Sequence, residues 1–321
     1  MSFLTFLPAA NRPDTAAFRP FAVNRMTGWS DGVVVAVIAA ACAATGAYCS
    51  AVAQTAGPQR SLQEPSHEAA RQQPAVRDCG GAIVARGTAS RFVDGRTFMF
   101  EDGSEVRLAA IEAPRLREHD STAGPAGEAA RDRLALLAAG TEVVIKQAEQ
   151  QKTDRYGRIA AYAFVTRDGA ERLLQAELVS GGFARVSPRA SGRACAAELL
   201  KLERAARRGK LGLWAGSYYE SLDAESPADV LAQQGHFALV EGKVVSVRES
   251  GATIYVNFGR RWATDFTVTI LKRNERSFTA AGLEPKKLAG RRVRVRGFIE
   301  ERDGPWIEAA LPEQIELIDL E

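Results

Sequence analysis

Between Gly81 and Trp214 the apolar residues fall in short runs cut by glycine, aspartate and charged positions, a strand-like pattern for most of the stretch. Residues 82–93 (AIVARGTASRFV) run into the turn Asp94-Gly95-Arg96, and 97–101 (TFMFE) meet Asp102-Gly103, a hairpin signal. Residues 104–111 put Val106 and Leu108 on one face and Arg107 on the other. The spacing turns helical over 126–139, with Ala129, Leu134, Leu136 and Leu137 as its apolar positions and Gly140 at its end. Residues 141–146 and 159–165 make two more strands. Two more helices fit 172–180 and 194–208, the second ended by Gly209 and Gly212. Five short strands with helices predict a small closed β-barrel over residues 78–216.

After an acidic, polar connector at 217–234, strand composition returns in residues 235–321. The runs 236–248, 253–258, 266–271, 291–300 and 306–309 are punctuated by Gly251, Gly259, Gly290 and Asp303-Gly304. A short helix over 278–288, between the third and fourth strands, gives the order of an OB-like barrel. Val293 and Val295 alternate with Arg292, Arg294 and Arg296, so three arginines share one face. With Arg260, Arg261, Trp262, Tyr255 and Phe258 close in sequence, two readings stay open. One is a stacking and basic surface for a single strand; the other is a solvated face whose charges pair with Glu300 and Glu301, with Tyr255, Phe258 and Phe266 in the core.

The N-terminal pattern is different. Residues 32–53 (GVVVAVIAAACAATGAYCSAVA) carry no charge, follow Arg12, Arg19 and Arg25, and end in Ala51-Val52-Ala53, a spacing signal peptidase accepts. Their strongly apolar part, 33–43, is short of the roughly 20 residues of a membrane span. Residues 1–53 therefore read as a cleaved secretory signal, with an uncleaved inner-membrane anchor as the alternative. Residues 54–77 are polar, aperiodic and contain Pro and Gln, a flexible tether. Both readings place the rest outside the cytoplasm, as a periplasmic or secreted protein. Of four cysteines, Cys79 and Cys195 remain after cleavage; in an oxidising compartment they form a disulfide or stay as two buried thiols.

Composition changes this picture little. The 321 residues allow two modest domains, and 46% hydrophobic with 25% charged residues is ordinary for a soluble protein. A net charge of +3, from 42 basic and 39 acidic residues, means that a polyanion would have to be met by a local patch. Three histidines and four cysteines without CxxC or HxxxH spacing argue against zinc.

Five fragments carry a family resemblance: VDGRT (93–97), VRLAAIEAP (106–114), DRYGRIAAY (154–162), LVSGGFARV (178–186) and ERAARRGKLGLW (203–214). In this order and spacing, over almost all of 81–214, they resemble the thermonuclease (staphylococcal nuclease) family. The resemblance implies a fold that is mainly β with α (α+β), an OB-type barrel with helices. The run 257–266 (NFG…DF) and VRVRG (293–297) resemble, more weakly, an OB-like tail of some exported nuclease-like proteins.

The family's chemistry rests on a calcium ion held by carboxylates beside the scissile phosphate, with two arginines clamping that phosphate. Hard dications take oxygen ligands and polarise phosphoryl oxygens, and guanidinium forks neutralise the growing charge. By resemblance Arg107 and Arg158 match the two clamps, Glu112 a metal-ligand aspartate, and Asp94 a carboxylate one step removed from the ion. Arg96 stands where the family has a metal-ligand aspartate, and Arg115 where it has the glutamate that activates water. Each swap puts a positive charge where a dication binds, and Glu118 and Asp120 are the nearest substitutes along the loop. Arg96, Arg107, Arg115 and Arg158 then point to one phosphate-binding cleft without metal. A cleft with no ligand is the bland alternative, with Arg107 simply paired to Glu112 or another acid. Tyr156 and Tyr162 read as barrel packing, with base-stacking platforms as the alternative, and Glu203 with Arg207 as a helix pair or a fold-supporting contact.

Three functions follow. An exported phosphodiesterase needs a surviving or rebuilt calcium site. A non-hydrolysing binder takes nucleic acid or another polyanion. A non-catalytic envelope interaction protein uses the two barrels as modules, with the membrane reached only through an uncleaved N-terminal segment.

Overall fold

Five strands close on themselves in the computed structural model, which describes residues 79–116, 124–148, 153–154, 156–188, 195–216 and 219–318. The segments 1–53 and 54–77, with Glu118 and Asp120, lie outside the described residues. No helix among the described residues is long and apolar enough to cross a membrane.

The first barrel uses β1 (Ile83–Asp94), β2 (Thr97–Phe100) and β3 (Glu105–Leu108), then β4 (Ile111–Glu112), α1 (Gly124–Ala138), β5 (Glu142–Gln147) and β6 (Ile159–Arg167). Antiparallel pairing runs β3-β2-β1-β5-β6, and a parallel β3–β6 pairing closes the ring. This is the connectivity of an OB fold. Apolar alternation fills the interior with Phe98, Phe100, Val106, Leu108, Val143, Ile145 and Phe164, and Leu134 of α1 joins them. The chain continues through β7 (Ala170–Leu173), α2 (Leu174–Ser180), β8 (Arg185–Val186) and α3 (Ala196–Arg208). A disulfide joins Cys79, just before β1, to Cys195, just before α3, and both are buried.

The second half comprises β9 (Leu222–Asp223), α4 (Pro227–Leu231), β10 (Phe237–Lys243), β11 (Ser246–Ser250), β12 (Thr253–Asn257), β13 (Thr267–Leu271) and α5 (Lys272–Ala280). It ends with β14 (Arg292–Phe298), β15 (Glu300–Arg302), β16 (Gly304–Glu308) and β17 (Ile315–Leu317). One sheet runs β17-β14-β10-β9 and the other β11-β12-β13-β16-β15, with β13 and β16 parallel. Val240, Ile254, Val256, Phe266, Val268, Val295 and Ile307 form its core, with Ala224 and Val230 contributed from 219–234.

Several predicted elements break where the backbone changes partner. The strand expected over 104–111 stops at Leu108, because Ala110 takes φ 66° and its carbonyl accepts the Ser187 N–H at 2.7 Å. The helix expected over 172–180 begins only at Leu174. Asp168 and Gly169, both at positive φ, make a hairpin turn that draws Arg172 and Leu173 into β7. The strand expected over 236–248 splits into β10 and β11: Val244 N–H bonds Arg291 and Val245 N–H bonds Asn257, so the chain turns from one sheet into the other. The run 291–300 splits at Ile299, whose N–H bonds the His236 carbonyl. The helix expected over 278–288 is α5, nearer the N-terminus, and Phe278 is its buried anchor.

Candidate anion-binding corner

Asp94-Gly95-Arg96 is the turn between β1 and β2. Asp94 Oδ1 accepts the Arg96 backbone N–H at 2.8 Å, a local bond that favours aspartate before a tight turn. Gly95 lies against α1: a Cβ there would meet the Ala130 Cβ at 2.5 Å and the Ala113 Cβ at 2.9 Å. With the turn pinned in this way, the Arg96 side chain crosses to β4. Its Nη1 donates to the Ile111 carbonyl at 3.2 Å and to the Glu112 carboxylate.

Glu112 reaches this place because the chain turns at Ala109-Ala110. Gln175 of α2 holds that turn, with its Nε2 donating to the Ala161 carbonyl at 2.9 Å and the Ala109 carbonyl at 3.3 Å. Arg107 stands opposite Thr97, the neighbour of Arg96, and Arg185 of β8 stands opposite Glu112. Burial pushes the Glu112 carboxyl above its ordinary range, while Arg96, Arg107 and Arg185 pull it back. Burial likewise lowers Arg96, which Glu112 opposes and Arg107 reinforces. Arginine stays protonated, so this corner sets two carboxylates, Glu112 and Asp94, against three guanidinium groups.

These residues do not fit calcium. The ion needs about six to eight oxygen ligands, yet the Glu112 carboxylate is taken up by Arg96, with Arg107 and Arg185 in electrostatic range. Among the described residues no three His, Cys, Asp or Glu side chains group as metal ligands.

The other expected site residues sit further out. Arg158 bonds Asp154 through Nε at 2.8 Å and Nη2 at 2.7 Å, and its guanidinium lies 4.9 Å from the centre of the Tyr156 ring. Tyr156 is 65% exposed, which corrects its reading as barrel packing, whereas Tyr162 is buried in the core. Arg115 borders two hollows, one beside Glu112 and Arg185, the other beside Asp94 and Glu128. Arg96, Arg107 and Glu112 are thus brought together, Arg115 flanks them, and Arg158 is engaged by Asp154.

The arginine face of β14 turns inward along the strand: Arg292 is exposed, Arg294 half-buried and Arg296 buried. Arg296 is buried completely, donating to Glu203 of α3 at 2.9 Å, to the Val186 carbonyl at 3.1 Å and to Glu316 of β17. Arg294 pairs with Glu241 at 2.6 Å. Glu203 also accepts the Val186 N–H at 2.5 Å and lies 4.0 Å from Arg207, so the Glu203–Arg207 pair is a buried, fold-supporting contact, and Arg296 ties it to the second half. Around this network Ala206 and Trp214 pack on Phe237 and Leu239. Alternation put the arginines on one face; α3, β8 and β17 cover its Arg296 end. Phe258 and Phe266 are core, while Trp262 is 71% exposed and lines a groove of about 870 Å³ with Arg248, Tyr255 and Arg260.

Sequence reading did not single out Arg185, although it lies within LVSGGFARV; only its place opposite Glu112 marks it.

Residues 105–216 match the model of the staphylococcal nuclease homologue family. The chain is also similar to protein ParB of Escherichia coli, 34% identical over 137 residues, which cover 40% of this chain and 72% of ParB.

Proposed function

Since this chain belongs to the staphylococcal nuclease homologue family, whose domains suggest nucleic-acid binding or hydrolysis, we propose that it binds nucleic acid through phosphates at the arginine corner without calcium-dependent cleavage. The contact between Arg96 and Glu112 carries this reading. It places a guanidinium on the carboxylate that a metal would need, and leaves the corner positive. Phosphate oxygens meet guanidinium forks well, and such binding weakens steeply with salt.

The test uses the full chain with labelled single-stranded DNA and RNA, in calcium, magnesium or chelator. We expect no cleavage in any of them. Affinity is expected to fall with added salt and to drop about tenfold in Arg107→Ala. Metal-dependent cleavage lost in Arg107→Ala would refute the reading. A strand would also meet the groove of Trp262, Arg248 and Arg260, where base stacking contributes about 1–3 kcal/mol per base. Trp262→Ala should weaken single-strand binding more than duplex binding, and equal loss for both would exclude stacking there.

Engagement of Arg96 by Glu112 and of Arg158 by Asp154 favours a second reading, an envelope interaction module whose arginines serve the fold. Salt-independent, undetectable binding of both polymers would select it. Export is part of the proposal in either case. It is supported by the uncharged run 32–53 after three arginines and by the Cys79–Cys195 disulfide, a bond that persists in oxidising compartments. The OB-like reading of 235–321 is supported by the β12–β13–β16 order with its parallel pair.

A further inference from the structure

Arg185 sits against aromatic rings and is not one side of an ion pair among the described residues. Its guanidinium lies 5.1 Å from the centre of the Tyr219 ring and 5.2 Å from that of Phe237, so aromatic rings of the second half take its faces. Its Nε is buried with no hydrogen-bond partner, and no carboxylate among the described residues pairs with it. The nearest acid across the strand pair, Glu112, is held by Arg96. A buried guanidinium donor left without an acceptor is costly, which makes this half-buried group receptive to an acceptor from outside.

That acceptor has a place to sit. A cavity of about 60 Å³ opens where the two halves meet, lined by Arg185, Arg115, Glu112, Tyr219 and His236. One water needs roughly 10–15 Å³ on this measure, so the space suits a few waters or one tetrahedral group and excludes a nucleobase with its sugar. Arg115 and Arg185 line it with Glu112 and Glu220, and Arg96 already holds Glu112, so a negative ligand is favoured. Burial lowers the Arg185 pKa, a cost that a bound anion would offset.

We propose that this seam cavity is a phosphate site in which Arg185, aided by Arg115, binds one tetrahedral oxyanion, either inorganic phosphate or the terminal phosphate of a nucleic-acid strand. It adds a site beyond the polymer contact proposed above and stands without it, because a free oxyanion needs no strand. If the strand is the source, the 5′ or 3′ end would be held where the two barrels meet.

The full chain is titrated with inorganic phosphate against chloride of equal ionic strength, by calorimetry and by the NMR signal of the Arg185 Nε–H. Oligonucleotides with a 5′-phosphate, a 3′-phosphate or neither are compared in parallel. Saturable phosphate binding that shifts the Nε–H signal is expected. Arg185→Met, which keeps an apolar stem between the rings, should weaken it about tenfold or more, and Arg185→Lys less. A terminal-phosphate preference that vanishes in Arg185→Met assigns the strand end as source; binding of inorganic phosphate without such a preference assigns the free ion. An unmoved Nε–H signal in wild-type protein, or equal phosphate affinity in Arg185→Met, overturns the site, and the Nε–H arm decides even if the variant does not fold. Loss of polymer binding alone, in Arg107→Ala, bears on the earlier proposal and not on this one.

Discussion

Arg296→Met is expected to cost about 3–5 kcal/mol of stability, the range for breaking a buried ion pair from one side. The variant leaves Glu203 fully buried with its Val186 N–H bond and only the more distant Arg207, at 4.0 Å, as counter-charge, and strips Glu316 of its closest guanidinium. Replacing Glu203 with leucine in the same chain should recover much of the loss, since an apolar pair of similar volume is often as stable as the ions it replaces. Urea melts at neutral pH measure this; a loss under about 1 kcal/mol would show that the pair is not desolvated.

The same network sets an acid limit. Burial alone would raise the Glu316 carboxyl, but Arg296, Arg207 and Arg294 hold it at about 2. Because its folded pKa lies below the ordinary glutamate value, its contribution is fully present above that ordinary value and is lost as pH falls toward 2. A shift of this size corresponds to about 3 kcal/mol. Glu316→Gln should therefore flatten the fall in stability between neutral pH and the acid range. An unchanged acid slope would remove Glu316 from the account.

The second large effect is reduction of the Cys79–Cys195 bond, expected to cost about 2–5 kcal/mol. The bridge spans 116 positions, and in the chain-entropy account a loop of about 100 residues is already near the top of that range. It ties the entry to β1 to the start of α3, the helix that supplies Glu203 to the seam. Denaturation of the reduced protein and of Cys79→Ala/Cys195→Ala should give the same midpoint, below that of the oxidised protein. Coincident midpoints for oxidised and reduced protein would mean that the bond does not constrain the unfolded chain.

These two predictions differ in how far sequence reading reached them. The cysteine pair was an open choice between a bridge and two thiols, and their approach to 5.4 Å between Cα atoms decides it. The arginine face was read correctly as a face, but its partners were not found. Glu203 and Glu316 lie 93 and 20 positions from Arg296, and β17 was not recognised as a strand. The Asp168-Gly169 hairpin was a missed local signal, available in the sequence as a turn dipeptide.

The sequence by itself determined the first barrel, its five strands and first helix, and the charge reversals at Arg96 and Arg115. Strand alternation, turn residues and helical spacing are local rules, so they are written along the chain. Only the tertiary structure decided what each charge meets. Arg96 is held by Glu112, Arg158 by Asp154, and Arg296 by two glutamates, while Arg185 faces a cavity. Periodicity says which side of a strand a residue occupies, but the element that covers that side arrives from elsewhere in the chain. Burial and ion pairing follow from that arrival, and with them the difference between a binding surface and a structural seam.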